Sequence, residues 1–299
     1  MNSPQPLTNV QVSAIIRAAI QRLDPQFDFP DLEVSITPGK IIIGVIGTAL
    51  ADRICELLFP KAPAGIYYHF TKLENLHSIF SSQKLRFYNL YKRFTDGEFR
   101  LFCEDHGLDG YLATSKTNPD RHVYQELMDD LFYVSLVDKG QKDCHEMWQN
   151  FGDHQRGVRL AFNINADCHP DFRKIAYQAN NKMPLFHELQ QAFGKYGKKF
   201  VVSGLSRFPA YYICSGYRGE SEWRLLVKRQ TDGSDFTFTI HPEGTEGVKF
   251  IECATDGTTC SQFQLQLVEV TAGKFCDIDV VRNQVRASQT FSAITVTNA

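Results

Sequence analysis

Hydrophobic residues near the start of the chain recur at helical spacing. Residues 8–23 place apolar side chains three and four positions apart behind Thr8, which predicts an amphipathic helix with a threonine cap. Residues 31–37 alternate between apolar and polar positions, as a half-buried strand does. Residues 41–59 are mostly apolar and fit either a buried strand or a buried helix. These patterns predict a small, partly helical N-terminal region.

The pattern changes after a segment rich in proline, alanine and glycine at residues 61–65. Such a composition is typical of a linker, because proline and glycine interrupt helices and strands. We therefore predict an accessory region at residues 1–62 and a larger domain at residues 63–299. The accessory region is a candidate surface for homo-oligomer formation.

The larger domain is predicted to be of the α+β class. Short runs with period two are interspersed with helical patterns, and the chain becomes rich in strands after residue 199. Strands are predicted at residues 66–70, 85–90, 131–137, 157–164, 200–202, 222–228, 236–240, 248–253 and 263–270. Helices are predicted after residue 71, at residues 92–106, 121–130 and 143–151, and over most of residues 170–196, with a break at Pro184.

Composition narrows the class of protein only slightly. The formal net charge is −2, so the overall charge gives no argument for a nucleic-acid or anionic-membrane partner. The eight cysteines form no C-x-x-C pair, and the N-terminus carries no basic segment of a signal peptide. The longest apolar run, residues 41–51, is shorter than the roughly 20 residues of a membrane span. We expect a cytoplasmic protein with reduced thiols and no membrane partner.

Several familiar catalytic and binding motifs are absent from the sequence. It contains no G-x-G-x-x-G fingerprint, no complete P-loop, no H-E-x-x-H and no G-x-S-x-G. Gln149 and Gln191 stand where a zinc protease would need its second histidine. No metal cofactor is predicted, because no local pair of ligands supports one.

The strand at residues 66–70 delivers a histidine to the start of a predicted helix. Period-two alternation puts Tyr67 and His69 on one face and Tyr68 on the other. Thr71 and Glu74 have the spacing of a capping box, so free backbone N–H groups beside His69 would attract an anion such as a phosphate. His69 and Thr71 are therefore nucleotide-binding candidates. The alternative is a structural histidine packed among aromatic rings.

A second strand, about 150 residues downstream, carries two carboxylates. Alternation predicts that Glu220, Glu222 and Arg224 share one face. One interpretation is an edge strand in which Arg224 pairs with a carboxylate. The other is that a carboxylate stabilises a developing positive charge, as in cleavage of a glycosidic bond.

Four short motifs occur together in a characteristic order. They are Tyr68 to Thr71, Thr95 to Glu98, Trp148 to Gly157, and Glu220 to Arg224. In this order the chain resembles ADP-ribosyltransferase-like domains, and more closely a widespread bacterial family that ends in an E-x-E-W/Y-R strand. The resemblance spans about residues 66–275 and implies a split β-sheet core with inserted helices. Asp96-Gly97 departs from the usual Asp-Pro, Phe151 replaces the usual tyrosine, and the Ser-Thr-Ser strand motif is missing.

The resemblance implies a role for each of several residues. His69 would hold the adenosine-side ribose of NAD, and Glu222 would be the catalytic glutamate at the nicotinamide ribose. Glu220 would help to orient the acceptor. Tyr88 or Tyr91 would stack on nicotinamide, with Tyr88 preferred because it lies on a predicted strand. His69 and Glu222 should then face the same cleft.

The implied function is that of an NAD-dependent ADP-ribosyltransferase acting as a toxin, effector or phage-defence enzyme. It would cleave the nicotinamide glycosidic bond and transfer ADP-ribose to a protein or nucleic acid. With water as the acceptor, it would be an NAD glycohydrolase. The alternative from another class is a non-catalytic module that binds a nucleotide or a protein.

Overall fold

A computed structural model shows how the chain folds. It describes residues 7–28, 32, 34–43, 47–91, 98–141, 144–165, 171–178, 183–202, 204–229, 237–245, 247–260 and 263–299. The chain forms two compact units. The first comprises Met1–Pro60, Phe94–Leu127 and Ala176–Ser215, and the second comprises Lys61–Arg93, Met128–Ile175 and Gly216–Ala299. The N-terminal region therefore belongs to a unit that also contains two later segments.

The structure is mixed α and β, as the sequence predicts. The helices are α1 (Asn9–Gln21), α2 (Gly47–Leu58), α3 (Leu73–Ser82), α4 (Glu98–Asp105), α5 (Asp109–Leu112), α6 (Val123–Asp129), α7 (His145–Asn150), α8 (Pro184–Gly194) and α9 (Ile278–Ala287). The strands are β1 (Val34–Thr37), β2 (Lys40–Ile43), β3 (Gly65–Thr71), β4 (Lys84–Asn89), β5 (Leu131–Asp138), β6 (Val158–Asn165), β7 (Phe172–Lys174), β8 (Ala176–Gln178), β9 (Lys199–Val202), β10 (Tyr212–Cys214), β11 (Glu222–Lys228), β12 (His241–Pro242), β13 (Lys249–Ala254), β14 (Asp256–Cys260), β15 (Phe263–Ala272) and β16 (Thr295–Asn298).

The first unit begins with the predicted amphipathic helix. Thr8 caps α1 and forms a capping box with Gln11, whose side chain accepts a hydrogen bond from the Thr8 backbone. Val12 and Ile16 are fully buried on one face of this helix. The hairpin β1–β2 turns at Gly39, which has a φ of 80°, and β2 continues in parallel pairing to β9. Residues 41–59 are predicted to form either a strand or a helix. They contain both, since most of β2 and the whole of α2 lie within this range.

The second unit contains a curled, mostly antiparallel sheet of eleven described strands. Its main order is β12-β13-β4-β5-β3-β6-β15-β14, with β11 paired to both β5 and β7, and β16 paired to β15. One face of the sheet packs against α3 and α9 around a large apolar core. The other face carries a smaller aromatic cluster in which Phe70 contacts the Trp148 ring edge-on, with 4.9 Å between the ring centroids. Trp148 is thus a core residue.

Two predictions of secondary structure are wrong. Residues 172–178 form β7 and β8 instead of a helix, because β7 finds a partner in β11 and β8 finds one in β10. The helix begins only at Pro184, where the missing N–H of proline costs nothing at the first helical position. Residues 237–240 form no strand, and Phe236 lies outside the described residues.

The central strand β5 has different neighbours at its two ends. Along one edge it pairs with β11 from Leu131 to Val137, which is all of β5 except its last residue. Along the other edge it pairs with β4 at residues 132 and 133, and with β3 at residues 137 and 138. The strands β3 and β4 therefore separate beside residues 134–136, and this split is where the candidate site lies.

No helix in the described part of the chain is long and apolar enough to cross a membrane.

Candidate functional site

His69 fills the split between β3 and β4. Its ring nitrogen Nδ1 lies 3.0 Å from the backbone carbonyl oxygen of Ser135, at the centre of β5. A carbonyl only accepts hydrogen bonds, so Nδ1 carries the proton and donates it. The side chain thus occupies the position that a neighbouring strand would otherwise take.

The environment of His69 favours the neutral imidazole. Burial lowers its pKa below the ordinary value of 6.5, and the hydrogen bond to Ser135 opposes that shift only partly. In a neutral ring that donates through Nδ1, the Nε2 atom holds a lone pair. His69 therefore offers a hydrogen-bond acceptor suited to a hydroxyl group.

A small cavity opens beside this histidine. Its volume is about 130 Å³, which accommodates a ribose or phosphate group but is smaller than the pocket of a whole drug-sized ligand. Strand β3, helix α3 and strand β4 all contribute to its wall. The lining residues are His69, Thr71, Asn75, Ser78, Ile79, Lys84, Leu85, Arg86 and Tyr88.

Two cations on β4 give the cavity a positive rim. The Lys84 Nζ lies 3.2 Å from a Glu252 carboxylate oxygen, and the Arg86 Nε lies 3.7 Å from the other oxygen. The Arg86 guanidinium also stacks over the Phe250 ring at 4.4 Å. Two positive side chains thus share one carboxylate, so the three groups together retain an excess of positive charge that favours an anionic ligand.

Tyr88 and Tyr91 have different positions. Tyr88 lines the cavity and donates a hydrogen bond of 3.0 Å from its hydroxyl to Glu243. Tyr91 follows the end of β4 and packs against Gly247, where an added Cβ would come within 2.7 Å of the tyrosine ring. Of the two predicted stacking residues, Tyr88 is the one that lines the cavity.

Thr71 lines the cavity, but it does not cap the following helix. It is the last residue of β3, and Lys72 is the N-cap of α3, with no side-chain cap. The Thr71 hydroxyl instead accepts a hydrogen bond of 2.9 Å from the Asn75 side chain. The predicted capping box is therefore wrong, because β3 extends one residue further to pair with β6.

Glu222 lies on the other side of β5, in a fully buried ion pair. Its two carboxylate oxygens face Arg224 at 2.9 Å and 3.2 Å, and both side chains are 0% exposed. The Ser135 hydroxyl donates a hydrogen bond to the same carboxylate. The predicted pairing of Arg224 with a carboxylate is present, but β11 is not an edge strand, because it pairs with β5 and β7.

Glu220 stands apart from the strand that carries Glu222. It ends a 3₁₀ helix at Ser215–Glu220, and the next residue, Ser221, has a φ of 47°. This left-handed residue breaks the alternation, so the prediction that Glu220 shares a strand face with Glu222 is wrong. Glu220 is buried and accepts a hydrogen bond of 3.3 Å from Asn150.

Ser135 is the residue that links the two predicted halves of the site. His69 binds its carbonyl, and Glu222 binds its hydroxyl. The structure thereby brings both residues to one serine, while only His69 lines the cavity.

Of the upstream motif at residues 95–98, residues 95–97 lie outside the described part of the chain.

Sequence reasoning missed Ser135, Lys84 and Arg86. A signal was present for each of them. Ser135 interrupts the otherwise apolar run around Val134 and Leu136, and the two cations alternate with Leu85 and Phe87. Polar residues at such positions indicate a contact that the apolar pattern alone does not explain.

Comparison with known proteins adds no assignment. No protein-family model, no curated protein and no solved structure matches this chain. Among the described residues, no group of three or more His, Cys, Asp or Glu side chains is placed to hold a metal ion.

Proposed function

We propose that the second unit binds a nucleotide, and that its cavity takes a ribose, such as that of NAD, whose phosphate lies against the positive rim. The observation that carries the proposal is the cavity wall, which combines the His69 ring with the cations Lys84 and Arg86. The neutral His69 supplies an acceptor for a ribose hydroxyl, and the cations supply donors for phosphate oxygens. Tyr88 adds an aromatic ring beside them.

The size of the cavity limits what is enclosed. About 130 Å³ holds one sugar or one phosphate, so the rest of a dinucleotide would lie over the surface of the unit. Such partial enclosure fits a ligand recognised mainly through charge and hydroxyl groups. It also predicts modest affinity, because little apolar surface is buried on binding.

Isothermal titration with NAD, ADP-ribose and inorganic phosphate tests the proposal. We expect ADP-ribose to bind, and His69→Ala to weaken binding about tenfold through loss of one hydrogen bond to the ligand. His77→Ala is the matched control, because His77 is an exposed residue of the adjacent helix α3 and does not line this cavity. Equal affinity in the wild type and His69→Ala, or no binding of any of the three ligands, would contradict the proposal.

A second candidate function is the cleavage of NAD by an enzyme with an ADP-ribosyltransferase-like fold. It is favoured by the approach of His69 and Glu222 to the same serine in a split antiparallel sheet. Cleavage of the nicotinamide bond needs a carboxylate near the developing ribosyl cation. Arg224 neutralises Glu222, so this chemistry requires that the buried ion pair open when NAD binds.

Nicotinamide release from labelled NAD distinguishes the candidates. If the protein is an enzyme, the wild type releases nicotinamide from NAD, with water, protein or nucleic acid as acceptor, and Glu222→Gln does not. A binding module releases none from either protein, yet still binds ADP-ribose. A role as toxin, effector or phage-defence enzyme rests on the first outcome.

A further inference from the structure

Two cysteines lie near each other beside the turn of the β14–β15 hairpin. Cys253 lies near the end of β13, and Cys260 is the last residue of β14. The backbone N–H of Ala254, the residue that follows Cys253, donates a hydrogen bond to the Cys260 sulfur, with 3.1 Å from nitrogen to Sγ. The Cys260 sulfur therefore lies beside the peptide bond that joins Cys253 to Ala254.

The two thiols differ in solvent access. Cys253 is 0% exposed, and Cys260 is partly exposed. Burial, the neighbouring Cys260 thiol and nearby negative charge together raise the pKa of Cys253 well above its usual value. For Cys260, the neighbouring Cys253 thiol is the main reason that its pKa falls to about 7, and Ala254 and Lys84 add to the effect. The lowered pKa thus belongs to the partly exposed sulfur, and the raised pKa belongs to the buried one.

We propose that Cys260 and Cys253 form a redox pair, in which hydroperoxides convert the two thiols into an intramolecular disulfide. Cys260 is the attacking sulfur, because it is partly exposed and accepts the hydrogen bond from Ala254. Cys253 is the resolving sulfur, because it is buried and directly precedes the residue whose N–H contacts the Cys260 sulfur. The site lies outside the nucleotide cavity and does not depend on the proposed binding function.

The chemistry balances with one hydroperoxide as the oxidant. The Cys260 thiolate attacks the nearer oxygen, the O–O bond breaks, and the leaving oxygen takes up a proton from solvent, which gives a sulfenic acid on Cys260 and an alcohol or water. The Cys253 sulfur then attacks the Cys260 sulfur. The S–O bond breaks, water leaves with the Cys253 proton, and the disulfide forms. Both thiols are oxidised, and the peroxide is reduced.

Alkylation of the intact wild-type chain tests the first step without any variant. Cys276 is the internal control, because it is also partly exposed, while burial raises its pKa above 9.0. Thiolate abundance favours Cys260, and its lower intrinsic nucleophilicity offsets part of that gain, so iodoacetamide should modify Cys260 at least about sixfold faster than Cys276 at neutral pH. The Cys260 rate should rise with pH and level off above about 7.

Peptide mapping after treatment with hydrogen peroxide tests the second step. The folded wild type and a Cys276→Ala variant should both show the Cys253–Cys260 cross-link. Cys253→Ala should instead accumulate a sulfenic acid on Cys260, which dimedone traps. Equal alkylation rates at Cys260 and Cys276, or no Cys253–Cys260 cross-link in the oxidised wild type, would overturn the proposal.

Discussion

Two groups of ionisable side chains lie on opposite sides of Ser135, and they differ in their access to solvent. On one side, His69, Lys84 and Arg86 line a cavity. On the other side, Glu222 and Arg224 are fully buried and bonded to each other. Ser135 contacts one member of each group, because its carbonyl accepts a hydrogen bond from His69 and its hydroxyl donates one to Glu222.

The two groups differ in burial more than in residue type, since each contains a positively charged side chain. A charge removed from water must find its partner within the protein, and Arg224 supplies it for Glu222. A charge at a cavity rim keeps water as a partner and can exchange it for a ligand. We therefore expect substitutions beside the cavity to alter binding, and substitutions in the buried pair to alter stability.

The largest effect is expected from Arg224→Met. This substitution removes the positive charge that Arg224 places against the buried Glu222 carboxylate, which should lower the free energy of unfolding by about 3–5 kcal/mol. Urea denaturation measures the loss. Arg282→Met is the matched control, since the Arg282 ion pair with Asp279 is exposed and should contribute less than about 1 kcal/mol.

The double variant Glu222→Leu, Arg224→Met sharpens that result. Removal of both charges should restore part of the stability lost in Arg224→Met, because the Glu222 carboxylate no longer has to be buried. A double variant as unstable as the single one, or equal losses in Arg224→Met and Arg282→Met, would contradict a structural role for the pair.

Arg86→Met should change binding more than stability. Loss of one cation from the cavity rim is expected to weaken ADP-ribose binding about tenfold. Added salt should reduce this difference in affinity between the variant and the wild type. The unfolding free energy should fall by less than about 1 kcal/mol, because the ion pair with Glu252 is partly exposed. Lys274→Met removes an exposed lysine outside the cavity and serves as the control. Titration calorimetry measures both variants.

His69 should make stability depend on pH in mildly acidic solution. Its pKa is lowered in the folded state, so the unfolded chain takes up a proton first as the pH falls through 6.5. The neutral ring therefore stabilises the fold above 6.5, and this contribution is lost as the pH falls towards the lowered folded value. Urea midpoints on both sides of pH 6.5 should fall less steeply in His69→Gln than in wild type. Parallel curves would show that His69 titrates equally in both states.

Tyr88→Phe should have the smallest effect. It removes the hydrogen bond to Glu243, which costs about 0.5–1.5 kcal/mol of unfolding free energy, with the lower end expected at a partly exposed site. The ring remains, so NAD binding should be retained in Tyr88→Phe and weakened in Tyr88→Ala. Thermal denaturation and calorimetry measure the two quantities, and equal binding by both variants would remove Tyr88 from the ligand site.

Several elements of both units follow from local patterns. The capped helix α1, the strands β3 to β6 and the helix containing Trp148 match the periodicity of their apolar residues. The histidine at the split could also be predicted, since β3 is short and aromatic and ends at a helix. The division into residues 1–62 and 63–299 and the oligomerisation surface remain predictions.

Other elements depended on partners distant in the sequence. Residues 172–178 have a helical composition, but the ladders to β11 and β10 decide their conformation. Glu220 does not lie on the face of β11 that carries Glu222, because a left-handed residue, Ser221, stands between them. No periodicity reveals such a break, since it arises from how the preceding 3₁₀ helix meets the sheet.

The sequence by itself determined which residues could carry the chemistry: His69, Tyr88, Glu222 and Arg224 are all identifiable from their strands. Only the tertiary structure decided which of them meet solvent. That decision rests on β5, which pairs with β11 over one edge and leaves a gap on the other. Because the gap admits His69 and the continuous ladder encloses Glu222, the two residues share Ser135 in different environments.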